Sequence, residues 1–326
     1  MSDRILEVSN LSVTLPRAGG MITPVEGVSL TLDRGEVLGI AGESGCGKSL
    51  TLKSIIGLLP KDAVTAGELK FALGREEPIP YEATDVRGHG ISLIPQEPMT
   101  ALNPTMRVGD LIAEGPRVHR GLDRAAAQDE TIELMRQVGI PNPERRARMW
   151  PHQLSGGLRQ RVMIATALST QPKLILCDEP TTALDVSIQD QILGLLQDIR
   201  IRLETAIVFV SHDLAVLGEL CDRMAIMYAG QIVETGPVEQ VFTDPQHPYT
   251  EALMRSVPSF GATTEKLAGI EGAPPDPGSF PMGCRFAPRC RYVRDDCRTT
   301  EFELMPIATG RQTACIHPEL VGGGSS

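Results

Sequence analysis

Long apolar runs are missing from this 326-residue chain. No stretch approaches ~18 consecutive apolar residues, which excludes a membrane-spanning helix. An excess of positive charge is missing too. Its 31 Lys and Arg stand against 41 Asp and Glu, a net charge of −10, which excludes a nucleic-acid backbone as the main partner. The opening MSDRILEVSN lacks the basic-then-apolar pattern of a secretory signal, so the chain is expected to stay in the cytoplasm. Disulfides are rare in that compartment, which leaves metal or free buried thiols to account for the cysteines. Phe, Tyr and Trp are absent before Phe71, so the first strands hold no aromatic stacking platform.

What is present is enough apolar residue, 41% of the chain, to bury one large domain with an appendage. EVSNLSVTL and GVSLTL alternate loosely and predict short antiparallel strands turning around Gly19-Gly20. EVLGIAG is a compact apolar run that enters a glycine-rich turn, and KSLTLKSIIGLL follows with helical character: a strand–loop–helix unit of α/β type. Residues ~100–170 read as mostly helical. LILCDEP and AIVFVSH are buried-strand candidates separated by the helix-like VSIQDQILGLLQDIRIRL, and MAIMYAGQIVETG predicts a hairpin at Ala229-Gly230. After Asp244, PQHPYT and EGAPPDPGSFPMG carry the texture of a linker or extended arm.

The segment Gly42-Glu43-Ser44-Gly45-Cys46-Gly47-Lys48-Ser49 fits G-x-x-x-x-G-K-[ST] at every position, between a predicted strand and a predicted helix that continues through Leu50. Its glycines leave backbone N–H groups free to converge on phosphate oxygens, and the helix N-terminus adds its dipole. Lys48 is placed to reach the β/γ-phosphates and the Ser49 hydroxyl to hold Mg²⁺. Downstream, Asp178 and Glu179 stand at the tip of an apolar strand. Asp178 suits Mg²⁺ and Glu179 suits the attacking water. Cys177 and Cys221 read as core residues and Cys46 as a small residue tolerated in its loop.

With LSGGLRQR at 154–161, Gln96 in IPQEP, ALD at 183–185 and His212 in FVSHD, the chain resembles the ATP-binding subunit of an ABC transporter. That resemblance implies an α/β P-loop fold of ABC type: a RecA-like core, an N-terminal antiparallel β subdomain and an inserted helical subdomain at about 100–165. It implies that His212 senses the γ-phosphate. It implies likewise that Gln96 touches Mg²⁺ and links the site to the membrane subunit, and that Ser155, Gly156 and Gly157, with Gln160, form the signature that caps ATP held by the opposite subunit. The 130 residues from Lys48 to Asp178 leave room for the insertion. QEPMTALNP, WPHQLSGG, HPYTEALMRSVP and PMGCRFAPRC narrow the resemblance to dipeptide/oligopeptide importers, with nickel and glutathione importers as relatives. The expected division is an ATP-binding domain at 1–245 and a C-terminal extension at 246–326. The implied partners are a sister ATPase in a heterodimer, two membrane permeases and an extracytoplasmic binding protein, with this chain peripheral on the cytoplasmic face of the membrane. A soluble ABC ATPase uncoupled from transport is the alternative, and a regulatory subunit with a degenerate site is a third reading. The family usually stacks adenine on an aromatic in the first strand pair. Here the region holds Leu15-Pro16-Arg17, leaving an apolar contact from Leu15 or a guanidinium stack from Arg17.

Cys284, Cys290, Cys297 and Cys315 are spaced C-x5-C-x6-C-x17-C. Tetrahedral zinc at Zn–S ~2.3 Å favours tight C-x(2–4)-C knuckles, and there is none here. Looser spacing suits a [4Fe–4S] cubane, and the resemblance points the same way. Zinc, disulfides or free thiols are the alternatives, and His317 is a substitute fourth ligand. Arg285, Arg289, Arg291, Arg294 and Arg298 surround the thiols and are expected to offset an anionic centre.

Overall fold

The computed structural model describes residues 3–73, 77–182, 186–256, 269–300 and 303–321. Two compact units form, each from separated stretches of chain. One gathers Met1–Ile5, Asp33–Glu36 and Phe71–Val208, and the other Leu6–Leu32, Val37–Lys70 and Phe209–Ser326.

Strands β1 (Arg4–Arg17) and β2 (Gly20–Asp33) make a hairpin longer than the sequence pattern predicts, turning where Gly19 and Gly20 both take positive φ. Then β3 (Val37–Ala41) is buried at all five positions, as a strand covered on both faces must be. It leads through the glycine-rich loop into α1 (Lys48–Ile55), and β4 (Val64–Phe71) neighbours β1. A two-residue β5 (Ile79–Pro80) precedes β6 (Ile91–Ile94).

In the first unit β7 (Leu174–Asp178) runs parallel to β6, with Ile91 opposite Leu174. The helical insertion lies in this unit: Val108–His119 packs against Arg124–Gln137 and against Gly156–Leu168. The Asp123 carboxylate caps the second of these by accepting from Ala126 N at 2.8 Å. Helix Val186–Leu203 buries Ile192, Leu195, Leu196 and Ile199, the spacing of one helical stripe. Strand β8 (Ala206–Val210) begins in the first unit, where Ala206 N donates to Lys173 O, and ends in the second, where Ser211 N donates to Ile40 O.

The second unit continues with β9 (Arg223–Tyr228) and β10 (Gln231–Pro237), turning at Ala229-Gly230 as the sequence predicts. The chain closes with β11 (Met305–Ala308) and β12 (Arg311–Thr313). Strand order there is β11-β12-β10-β9-β3, with β9 parallel to β3 and the other pairs antiparallel. The linker reading of PQHPYT is corrected, since it opens the helix Pro248–Arg255. Proline at N1 and the His247 side chain, whose Nδ1 accepts from Tyr249 N at 3.1 Å, start that helix where texture alone suggested irregular chain. Among the described residues no helix is long and apolar enough to cross a membrane.

Candidate functional site

The loop from Gly42 to Lys48 is shaped by its glycines. Gly42 has φ 156°, and a Cβ there would meet the Met227 carbonyl at 2.1 Å, so only glycine lets the loop leave β3 against β9. Gly47, at φ 108°, sits under Met227 and Val25 and starts α1 without a side-chain cap, so the amides of the first turn are not taken by their own cap. Lys48 is buried and its ammonium donates to Gly42 O (2.8 Å) and Glu43 O (3.0 Å), drawing the loop into a ring. Cys46 is buried and lines the same turn, and burial pushes its thiol up from the usual range. Ser44 and Gly45 are exposed, while Ser49 and Leu50 are half-buried on the first turn of α1.

Two side chains far along the sequence hold this loop. Glu43 N donates to the Tyr249 hydroxyl at 2.9 Å, and the Glu43 carboxylate receives both η nitrogens of Arg289 at 2.7 and 3.0 Å. That forked pair raises the Arg289 pKa further. Arg289 also donates to the carbonyls of Ile270 and Glu271. Neither anchor is legible in the loop motif. The HPYT and PRC words contain them, but no periodicity assigns them a target.

In the first unit β7 delivers Asp178, buried, and then Glu179, half-buried. Glu179 has φ 48°, a left-handed conformation that is uncommon away from glycine and concentrates at functional positions. Its carboxylate accepts from the Thr182 hydroxyl at 3.0 Å and from Gln96 Nε2 at 3.3 Å. The structure therefore brings together Gln96, two residues past β6, and Glu179, which the sequence separates by 83 positions. Gln160 is buried in the Gly156–Leu168 helix and donates to the Pro180 carbonyl, fixing the backbone beside Glu179. Ser155 and Gly156 are exposed at the N-terminus of that helix and Gly157 packs on Ile188, with no side-chain cap on the helix amides. His212 lies exposed just after β8, in the second unit. The ALD motif at 183–185 lies outside the described residues.

All four C-terminal cysteines line one cavity, with His247, Phe286 and His317 among its other walls. All four thiols are free. Burial pushes Cys284 up to about 11 and Cys315 up to about 12, and the neighbouring thiols add to both shifts. Both effects favour the protonated thiol, so ionising the four together would need a cation among them. His317 faces the same cavity, but its Nε2 pairs with Asp296 at 2.8 Å. Three of the five arginines expected around the thiols are engaged elsewhere. Arg285 donates to Ala229 O and Glu26, Arg289 to Glu43, and Arg291 to Glu251. Arg17, offered above as an adenine contact, forms a forked ion pair with Asp276 at 2.5 and 3.2 Å.

Comparison with solved structures gives a TM-score of 0.63 and 26% identity to the ATP-binding cassette MJ0796 in a post-hydrolysis state with ADP and Pi, covering 72% of this chain and 99% of that one. Fold and site together define an ABC-type ATPase, a P-loop nucleotide-binding cassette that hydrolyses ATP. Residues 25–182 match the family model "ABC transporter" and residues 233–297 match "Oligopeptide/dipeptide transporter, C-terminal region". The oligopeptide transport ATP-binding protein OppD of Bacillus subtilis (strain 168) is 47% identical over 294 residues, 89% of this chain and 82% of the relative. AppD of the same organism, also an oligopeptide transport ATP-binding protein, is 41% identical over 99% of both chains. The chain belongs to the ATP-binding subunits of the oligopeptide/dipeptide ABC importers.

Proposed function

We propose that this chain is the motor of a peptide importer, pairing with a sister ATPase beneath two membrane permeases that receive cargo from an extracytoplasmic binding protein. It works on the cytoplasmic face of the membrane. Its ATP-binding domain is residues 1–245 and its extension is 246–326. The observation that carries the reading is Glu179, held in a left-handed backbone with Gln96 and Thr182 on its carboxylate. In this reading the amides of Gly42–Ser49 and the first turn at Leu50 cradle the phosphates and Lys48 neutralises them. Glu179 orients the water and takes its proton as that water attacks the γ-phosphorus and ADP leaves. His212 senses the γ-phosphate, and Ser155, Gly156 and Gly157 present helix amides to ATP bound by the partner, with Gln160 fixing the signature helix. In this reading Ser49, Gln96 and Asp178 each offer a hard oxygen donor that would hold Mg²⁺, which would neutralise charge developing on the phosphates. ATP closes the pair of ATPases and hydrolysis reopens it, resetting the permeases.

Glu179→Gln keeps the phosphate cradle and removes the base. It should still bind ATP while turnover in the assembled transporter falls at least ~100-fold. Turnover near the wild-type rate would remove Glu179 from the mechanism.

We further infer that Cys284, Cys290, Cys297 and Cys315 hold a [4Fe–4S] cluster. The four thiols lining one cavity, all of them free, support this reading, and an all-sulfur donor set fits iron–sulfur chemistry. When bound, the cluster would cross-link an arm short of apolar core. Protein purified without oxygen should be brown, with about four irons per chain and a broad absorption near ~400 nm, both lost in Cys290→Ser. One zinc per colourless chain would refute the cluster.

A further inference from the structure

The same unit that holds the phosphate loop also holds a cavity of about 290 Å³ beside it. One wall is Ser44 and Gly45 of the loop. The C-terminal arm lines the cavity too, with Pro274, Pro275, Pro277 and Phe280. This places flat apolar groups next to a phosphate-binding loop in a chain with no aromatic residue before Phe71.

We propose that this cavity is the nucleobase subsite and that the arm, through Phe280 and its prolines, supplies the stacking surface that the first strands lack. The proposal rests on the ATP reading of the phosphate loop given above.

The arm has no helix or strand between residues 269 and 286, yet it is held at three places. Asp276 pairs with Arg17 at the tip of the β1–β2 hairpin and accepts from Gly278 N at 2.7 Å, which closes a tight turn. Arg289 holds the carbonyls of Ile270 and Glu271 while gripping Glu43, so the arm and the loop share one anchor. Arg285, fixed by the Ala229 carbonyl and Glu26, places its guanidinium 3.8 Å from the Phe280 ring centroid. A ring pinned in this way stacks a base with little further loss of side-chain freedom.

The chemistry of the wall sets its selectivity. Proline rings and a phenyl face offer apolar contact and a π surface but no hydrogen-bond code. The Asp276 carboxylate is already committed to Arg17, and the Tyr228 hydroxyl receives Arg289 at 3.3 Å. The subsite should therefore accept a purine base by its face and discriminate adenine from guanine weakly.

The test is equilibrium binding of MgATP, MgGTP and magnesium tripolyphosphate to the full chain, to Phe280→Ala, to Phe280→Tyr and to Asp276→Ala. Tripolyphosphate has the phosphates without the base and reads the loop alone. Loss of base stacking should weaken ATP and GTP together by roughly 5- to 150-fold in Phe280→Ala. Tripolyphosphate affinity should be unchanged, Phe280→Tyr should restore ATP, and Asp276→Ala should show the same selective loss by releasing the arm. Unchanged ATP affinity in Phe280→Ala overturns the proposal. So does an equal fall for tripolyphosphate, which would make the arm a support for the loop rather than a base contact. Failure of the wild-type chain to bind either ATP or tripolyphosphate would overturn the ATP reading itself, a separable outcome.

Discussion

Glu234 is wholly buried on β10, and its carboxylate is accommodated there by a set of donors. Gln246 N approaches both carboxylate oxygens at 2.9 and 3.1 Å, His247 N donates at 2.9 Å, and Arg311 stands at 3.3 Å. Burial raises the Glu234 pKa, and these donors oppose the shift. Arg311, itself buried, also reaches Asp244 at 2.9 Å. Removing one partner of a buried pair leaves the other charge stranded, so Arg311→Ala should cost about 3–5 kcal/mol, and Arg311→Lys less. Thermal unfolding would show it as a midpoint several degrees lower, and an unmoved midpoint would mean that the two backbone donors suffice for Glu234. Nothing in the sequence marks this pair. Its members are 77 residues apart and look like ordinary surface charges until β12 is laid beside β10.

Helix Pro248–Arg255 shows what an element does that its motif only hints at. Its Tyr249 is fully buried, packs on Tyr228 and Phe286 with ring centroids 4.5 and 5.5 Å away, and receives Glu43 N. Phe286 lies between Cys284 and Cys290 in sequence and lines their cavity. The cysteine segment is thus tied to the phosphate loop twice, through this aromatic stack and through Arg289 on Glu43. Arg289 is nearly buried and Glu43 a quarter exposed, so the pair is worth about 1.5–3 kcal/mol in holding the loop. Arg289→Ala should weaken tripolyphosphate, unlike a change at Phe280, and should weaken ATP further because it also frees the carbonyls of Ile270 and Glu271. Glu43→Gln should weaken both ligands alike, and the double variant should be no worse than Arg289→Ala alone. Additive losses would show that the two residues act apart. The texture of the sequence placed an irregular arm here because proline and glycine dominate its composition. The fixed contacts come from residues spread between them.

For the whole molecule, the sequence by itself determined the parts whose physics is local. The phosphate loop is legible because eight contiguous residues set its glycine conformations and the helix start that follows. Strands β3, β7 and β8 are legible because burial on both faces demands unbroken apolar runs. The helix Val186–Leu203 and the hairpin at Ala229-Gly230 follow from periodicity and turn chemistry in the same way. The cysteine spacing was equally visible, but its four thiols needed folding to meet in one cavity. Tertiary structure alone decided the pairing of Gln96 with Glu179, of Arg289 with Glu43, of Arg17 with Asp276 and of Arg311 with Glu234. Each joins side chains from distant stretches, 83, 246, 259 and 77 residues apart. Arg289–Glu43 and Arg311–Glu234 draw strength from burial and from the low dielectric that packing creates, whereas Gln96–Glu179 and Arg17–Asp276 lie exposed and depend on the fold only for their meeting. Neither burial nor such a meeting belongs to any segment before the chain folds.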